Sequence, residues 1–158
     1  MKPHNSYMKK CIALGKEAMS KGNPPVGAII VKGEQIIGVG IEAGKSSKNI
    51  TKHAETEAVN DAIHNGKLQN LDGCKLYTTH EPCIMCSYVL RHYKIDTIIY
   101  GTNVDFVGGI TSEFKVMLTT NIPKWGNSPK IIRSVLQEKC DKLTTDYKMS
   151  LKNSNYEK

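Results

Sequence analysis

The segment "NPPVGAIIVKGEQIIGVGIE" carries two apolar, β-branched runs on either side of Lys32-Gly33-Glu34. Such a pattern reads as a β-hairpin, because Gly33 can take the positive φ that a tight turn needs. The segments after the hairpin restrict the fold further. "KHAETEAVNDAIHNG" repeats Ala54, Ala58 and Ala62 at every fourth residue, with Val59 and Ile63 beside them, so it reads as a helix that Thr51 can cap. "CKLYTT" then reads as a strand, and "KIDTIIYG" as another. Between them lies a helix with Pro82 at its first position and Met85, Val89 and Leu90 on its inner face. Strands joined through helices run parallel. The order α-β-β-α-β-α-β therefore implies a partly parallel central sheet in a layered α/β domain.

The flanks complete this plan. "YMKKCIALGKEAMSKG" reads as a first helix ended by Gly22, and "AGKSSKNIT" as a loop. Between Thr102 and Pro129 the pattern is weak; a short helix is expected around "TSEFKVML", then a loop holding Pro123, Trp125, Gly126 and Pro129. "KIIRSVLQEKCDKLTTDYKMSLK" reads as a last strand running into a last helix, with a flexible tail expected after about residue 150. No internal repeat or linker divides the chain, so a single domain over residues 1–158 is expected.

Composition narrows the function classes. With 39% hydrophobic and 23% charged residues the chain is of globular type, and no apolar run approaches the ~20 residues of a membrane span. The start lacks the apolar run of a secretory signal, so a cytoplasmic location is the expectation. Five scattered cysteines argue against a disulfide framework. The formal net charge of +7 is spread along the chain without a block of like charges, which favours solvated helix faces over a nucleic-acid surface.

Pro82-Cys83-Ile84-Met85-Cys86 places two thiols at i and i+3, a spacing shared by redox pairs, metal sites and ordinary packing. A zinc reading needs at least one more nitrogen or sulfur ligand, and an open fourth position for catalysis. The candidates are His53, His64, His80, His92, Cys11, Cys74 and Cys140. Among them His53 stands out, since it lies at a predicted helix start, as the two cysteines do. Helix N-termini carry partial positive charge that favours thiolates. Two residues on comes Glu55, which a ligand at His53 leaves beside the metal rather than on it, where a general acid/base belongs. His-x-Glu followed by Pro-Cys-x-x-Cys is the signature of zinc nucleobase deaminases.

On these residues the sequence resembles the cytidine/deoxycytidylate deaminase superfamily. "PPVGAIIV", "KHAETEAV", "LYTTHEPCIMC" and "IIYG" resemble blocks shared by guanine deaminases, tRNA adenosine deaminases and fungal-type cytosine deaminases. The likeness is strongest from Pro24 to Gly101 and continues more loosely through "SVLQEKCDKL". It implies a three-layer α-β-α fold with a central five-stranded mixed sheet, and a homodimer with sites near the interface. By the same resemblance His53, Cys83 and Cys86 hold one Zn²⁺ per subunit, with water as fourth ligand. Glu55, the catalytic residue, takes that water's proton and delivers it to the ring nitrogen and then to the departing amine, so that ammonia leaves and a carbonyl remains. The resemblance also implies substrate contacts: the Ala54 N–H to a ring acceptor, Val26 as a pocket wall, and backbone atoms of Glu81 near the reacting amine.

One departure bears on the substrate. Relatives carry asparagine in a "GxN" context after the second strand, whereas "GIE" puts Glu42 there. A carboxylate only accepts hydrogen bonds, so Glu42 suits ribose hydroxyls or a donor-rich base edge. His80, where relatives often have Leu or Cys, reads as a pocket-lining or surface residue. His64 and His92 read as helix-surface residues, and Cys11, Cys74 and Cys140 as small buried side chains. Trp125 either covers the substrate or anchors its loop. Tyr156 either reaches a neighbouring site or lies in a frayed tail.

Three functions are compatible with these residues. The favoured one is hydrolytic deamination of a small nucleobase or nucleoside, guanine or guanosine first. The alternative is adenosine-to-inosine conversion in tRNA, which the last helix disfavours, because "DKLTTDYKMSLKNSNYEK" lacks the arginines expected of such relatives. A non-catalytic zinc or redox module is the third. A structural zinc site would call for four protein ligands, and no fourth candidate has matching context; a redox pair leaves His53 and Glu55 unexplained.

Overall fold

The hairpin forms as its sequence predicts: β1 (Gly27–Lys32) and β2 (Gln35–Ile41) pair antiparallel, with Gly33 at φ 60°. In the computed structural model, which describes residues 2–156, β3 (Cys74–His80) lies antiparallel along the other side of β1. β4 (Thr97–Thr102) and β5 (Lys130–Ile132) extend the sheet in parallel, giving the order β2-β1-β3-β4-β5. Strand alternation sends successive side chains to opposite faces, and this period of two builds two cores. Ala28, Ile30, Leu76, Ile98 and Tyr100 meet Ala54, Ala58, Val59 and Ala62 of α3 (Ala54–Gly66) and Leu90 of α4 (Ile84–His92). Ile29, Val31, Tyr77 and Ile99 meet Met8, Cys11 and Ile12 of α1 (Lys2–Ser20) and Cys140 and Leu143 of α5 (Gln137–Tyr156). The result is the expected three-layer α-β-α arrangement around a five-stranded mixed sheet.

The row of alanines in α3 has a specific partner. β2 offers Gly38 and Gly40 to it, and a Cβ on Gly40 would overlap the Ala54 carbonyl oxygen, as one on Gly38 would the Ala58 carbonyl oxygen. Helix and strand therefore ride closer than side chains larger than alanine allow. This close approach fixes where α3 begins.

Several local expectations are corrected. α1 starts at Lys2, before the "YMKK" segment, and "AGKSSKNIT" contains a one-turn α2 (Gly44–Ser47) closed by Lys48 at φ 52°. The N-cap of α3 is His53, not Thr51; Thr56 Oγ accepts the His53 N–H at 3.1 Å and donates to the Thr51 carbonyl at 2.6 Å. Pro82 precedes the cap of α4 instead of occupying its first position, because Cys83, at φ −70° and ψ 177°, is the extended cap residue. "TSEFKVML" forms turns, followed by a single 3₁₀ turn at Pro123–Trp125. Its carbonyls find another partner: the buried Arg91 guanidinium donates to Met117 O at 2.7 Å and Thr119 O at 2.8 Å, which replaces the helical ladder. Trp125 lies under Arg91 and edge-on to Tyr88, so it anchors this loop and does not cover a substrate. α5 stays helical through Tyr156, whose side chain lies outside the described residues. No helix among the described residues is long and apolar enough to cross a membrane.

His80 ties the sheet to α5. Its ring nitrogens share hydrogen bonds of 2.8 Å with Thr79 Oγ and with Thr144 Oγ. Burial lowers its pKa to about 4, against a weaker upward pull from Asp141. As pH falls below the ordinary histidine value the unfolded chain takes up the proton before the folded one does, so stability present at neutral pH is lost on acidification. Urea unfolding at pH 7 and pH 5 is expected to show wild type losing about 2 kcal/mol more than His80→Gln over that interval. Equal losses in the two proteins would show that His80 titrates normally.

Candidate active site

Two helix starts converge at one point. His53, capping α3, and Cys83, capping α4, are brought together with Cys86 one turn into α4. The Nδ1 of His53 is 3.5 Å from the Sγ of Cys83 and 3.5 Å from that of Cys86, and the three ligand atoms lie within 4.8 Å of one another. Tetrahedral zinc with ordinary Zn–N and Zn–S bonds sets its nitrogen and sulfur ligands about 3.5 Å apart, so the donor set fits one ion. Among the described residues no fourth His, Cys, Asp or Glu joins the group. Cys11, Cys74 and Cys140 are buried in the cores, as the sequence predicts.

The electrostatics of the cluster favour metal binding. Hydrogen bonds from Cys86, and then from His53, lower the Cys83 thiol to about 4 despite its burial. The thiolate in turn raises His53 to about 9, while Cys86, which shares its proton with Cys83 and is buried, is pushed well above the usual thiol range. A divalent cation displaces these shared protons.

Glu55 is 4% exposed and stands beside the cluster. One carboxylate oxygen accepts the Thr78 hydroxyl at 2.8 Å, and the other is 3.5 Å from Cys86 Sγ. Burial raises its pKa to about 7. A carboxyl group near neutrality can both take and return a proton. Thr78, which aims it, has no signal in the sequence beyond its place two residues before His80.

The cluster floors a cleft of about 230 Å³ walled by Val26, Glu42, Glu55, His80, Glu81 and Val107. Glu42 is buried there. Its Oε1 accepts the Gly44 N–H at 3.1 Å, burial raises its pKa, and His53 and the Gly44 and Ala54 amides pull it back down. The Ala54 side chain is spent in the core, leaving only its amide for the site. Glu81 turns its carboxylate to the segment after β4. The cleft is not closed: Pro24, Val26, His80 and Val104 continue it into a groove of about 490 Å³ along α5, and Glu42 and His53 into one of about 450 Å³ edged by Lys45 and Lys48.

Residues 1–102 match the family model described as the cytidine and deoxycytidylate deaminase zinc-binding region. The chain belongs to this family. A tRNA-specific adenosine deaminase of Aquifex aeolicus (strain VF5) is 39% identical over 111 residues, 70% of this chain and 74% of its own. The tRNA-specific adenosine deaminase 2 of Xenopus laevis is 33% identical over 156 residues, 94% of this chain and 89% of its own. Among solved structures, one from studies of A-to-I editing by tRNA:A34 deaminases aligns with a TM-score of 0.80 over 87% of this chain and 98% of its own, at 21% identity, a likeness of fold. Guanine deaminase from Bacillus subtilis aligns with a TM-score of 0.61 and 33% identity, over 63% of this chain and 64% of its own. The layered sheet is thus the cytidine deaminase-like fold, and the domain is a zinc-binding deaminase domain whose His53, Cys83 and Cys86 can hold one ion. In this deaminase, Cys83→Ala is expected to lose zinc on dialysis, whereas Glu55→Ala keeps one zinc per chain and loses turnover by at least ~10²-fold. Metal analysis beside an activity assay checks both, and an active Glu55→Ala protein would remove Glu55 from the mechanism.

Proposed function

We propose that this chain deaminates adenosine to inosine in the anticodon loop of a tRNA, in place of the guanine or guanosine deamination that its last helix first suggested. The observation that carries this reading is the match to tRNA-specific adenosine deaminases over as much as 94% of the chain, which takes in most of α5 despite its lack of arginine. The shape of the cleft supports it. Pockets for free small molecules enclose most of their ligand, but this one takes a single ring and opens on two sides. An extruded base with chain on either side suits that form. Lys45 and Lys48 edge one of the two openings and supply phosphate contacts there.

The residues divide the chemistry among them. Zinc held by His53, Cys83 and Cys86 would supply a water acidified to near neutrality. Glu55 takes the water's proton with the oxygen left free by Thr78 and delivers it to the ring nitrogen; it then takes the proton of the hydroxyl added to the ring carbon and passes it to the amine, so that the C–N bond breaks, ammonia leaves and a carbonyl remains. Val26 walls the ring, and the Ala54 amide and Glu81 backbone meet its polar edge. Homodimer formation stays part of this reading, supported by the exposure of Tyr88, Phe106, Val107 and Phe114.

Glu42 favours a second reading. Its carboxylate in the cleft suits the donor-rich edge of guanine, and the Bacillus subtilis guanine deaminase shares 33% identity, the figure for the Xenopus laevis tRNA enzyme, though over 63% of this chain against 94%. Ammonia release and inosine formation, measured with an unmodified tRNA and with guanine, guanosine, adenine, adenosine, cytosine and cytidine, separate the two. The expected result is inosine in the tRNA alone, with KM rising steeply with salt. Ammonia from guanine with an untouched tRNA would replace the proposal with the guanine reading.

A further inference from the structure

The side chain of Glu81 has a place that the catalytic scheme does not use. It is 2% exposed, and among the described residues no lysine or arginine pairs with it. Its carboxylate is instead met by four donors from one stretch of chain, three backbone amides and one hydroxyl. Oε2 accepts the Val104 N–H at 2.9 Å and the Thr111 hydroxyl at 2.7 Å, and Oε1 accepts the N–H groups of Ile110 at 2.8 Å and Thr111 at 2.6 Å. Hydrogen bonds to an ionised acceptor are about twice as strong as neutral ones.

All four donors belong to residues 104–111, which form neither helix nor paired strand apart from one bridge between Gly108 and Cys83. The stretch curls around the carboxylate. A Cβ on Gly108 would sit 2.5 Å from the Glu81 carboxyl carbon, so only glycine lets the chain pass there. Two further backbone bonds seat the same stretch at the start of α4: the Ile84 N–H to Val107 O at 2.9 Å, and the Gly109 N–H to Pro82 O at 2.9 Å. Val104 and Val107, held between these bonds, form a wall of the cleft over the ligand group.

We infer that the Glu81 side chain is a positioning residue: it fixes residues 104–111 as the wall against which the substrate ring is held, and acts on binding through that wall. Phe106, 88% exposed and at φ 65°, stands at the tip of this stretch, a conformation that a bulky residue keeps only when its neighbours are pinned. The inference rests on the cleft being the deaminase site, whichever substrate it takes.

Glu81→Gln tests it. The size is kept, but one oxygen becomes an amide nitrogen facing two donors. Zinc-loaded wild type and variant are compared by amide hydrogen exchange and by kinetics on an anticodon stem-loop RNA. Exchange in residues 104–111 is expected to quicken at least about tenfold, with zinc content and the exchange of α3 unchanged. KM is expected to rise at least about fivefold, with a smaller change in kcat. Thr111→Val, which removes one donor of the four, is expected to shift both in the same direction by less, and serves if the first variant fails to fold. Unchanged exchange, a loosened stretch with KM unmoved, or loss of zinc from Glu81→Gln would each overturn the inference. If wild type leaves the RNA untouched, the tRNA reading fails on that protein alone; the kinetic comparison then moves to guanine, and the exchange comparison stands.

Discussion

The site depends on how closely α3 approaches β2. Gly38 and Gly40 on the strand and Ala54, Ala58 and Ala62 on the helix leave no side chain between the two backbones. The first residue of α3 is thereby set against the sheet, and His53 is delivered to the thiols of α4. A methyl group added at Gly40 would push the helix start outward at the point where the ligand distances are fixed. Packing here is the cause of the chemistry.

Three buried carboxylates surround the cleft, and each is accommodated differently. Glu55, with a single hydroxyl partner, is left near neutrality and free to exchange a proton. Glu81 is saturated by donors from residues 104–111 and is spent on structure. Glu42 is met by the Gly44 and Ala54 amides and faces His53. Burying three acids within one small region carries a desolvation cost that only specific partners offset. The three carboxylates differ in those partners and not in residue type.

Much of this was legible in the sequence because it rests on local periodicity. Continuous apolar runs in "GAIIV" and "TIIYG" mark strands buried on both faces, and the four-residue alanine repeat marks α3. The ligand set of His53, Cys83 and Cys86, with Glu55 beside it, was legible because these residues lie at two helix starts, where residue spacing maps simply onto space. The segment between β4 and β5 was not legible. Its conformation is set by two distant side chains, Glu81 and Arg91, that gather its amides and its carbonyls, and no pattern within residues 103–126 encodes that. The caps were misplaced by two residues at both α3 and α4 for a related reason. The residue at each boundary is a ligand held extended by the site, not the best capping side chain.

The most direct measurement is X-ray absorption at the zinc edge of the protein loaded with one equivalent of metal. Two sulfur neighbours at about 2.3 Å and two nitrogen or oxygen neighbours at about 2.0 Å are expected, the second light atom being exchangeable solvent. That shell is an open, catalytic site built by His53, Cys83 and Cys86. Three or four sulfur neighbours would contradict it, since a further cysteine would then close the site and leave Glu55 nothing to act on.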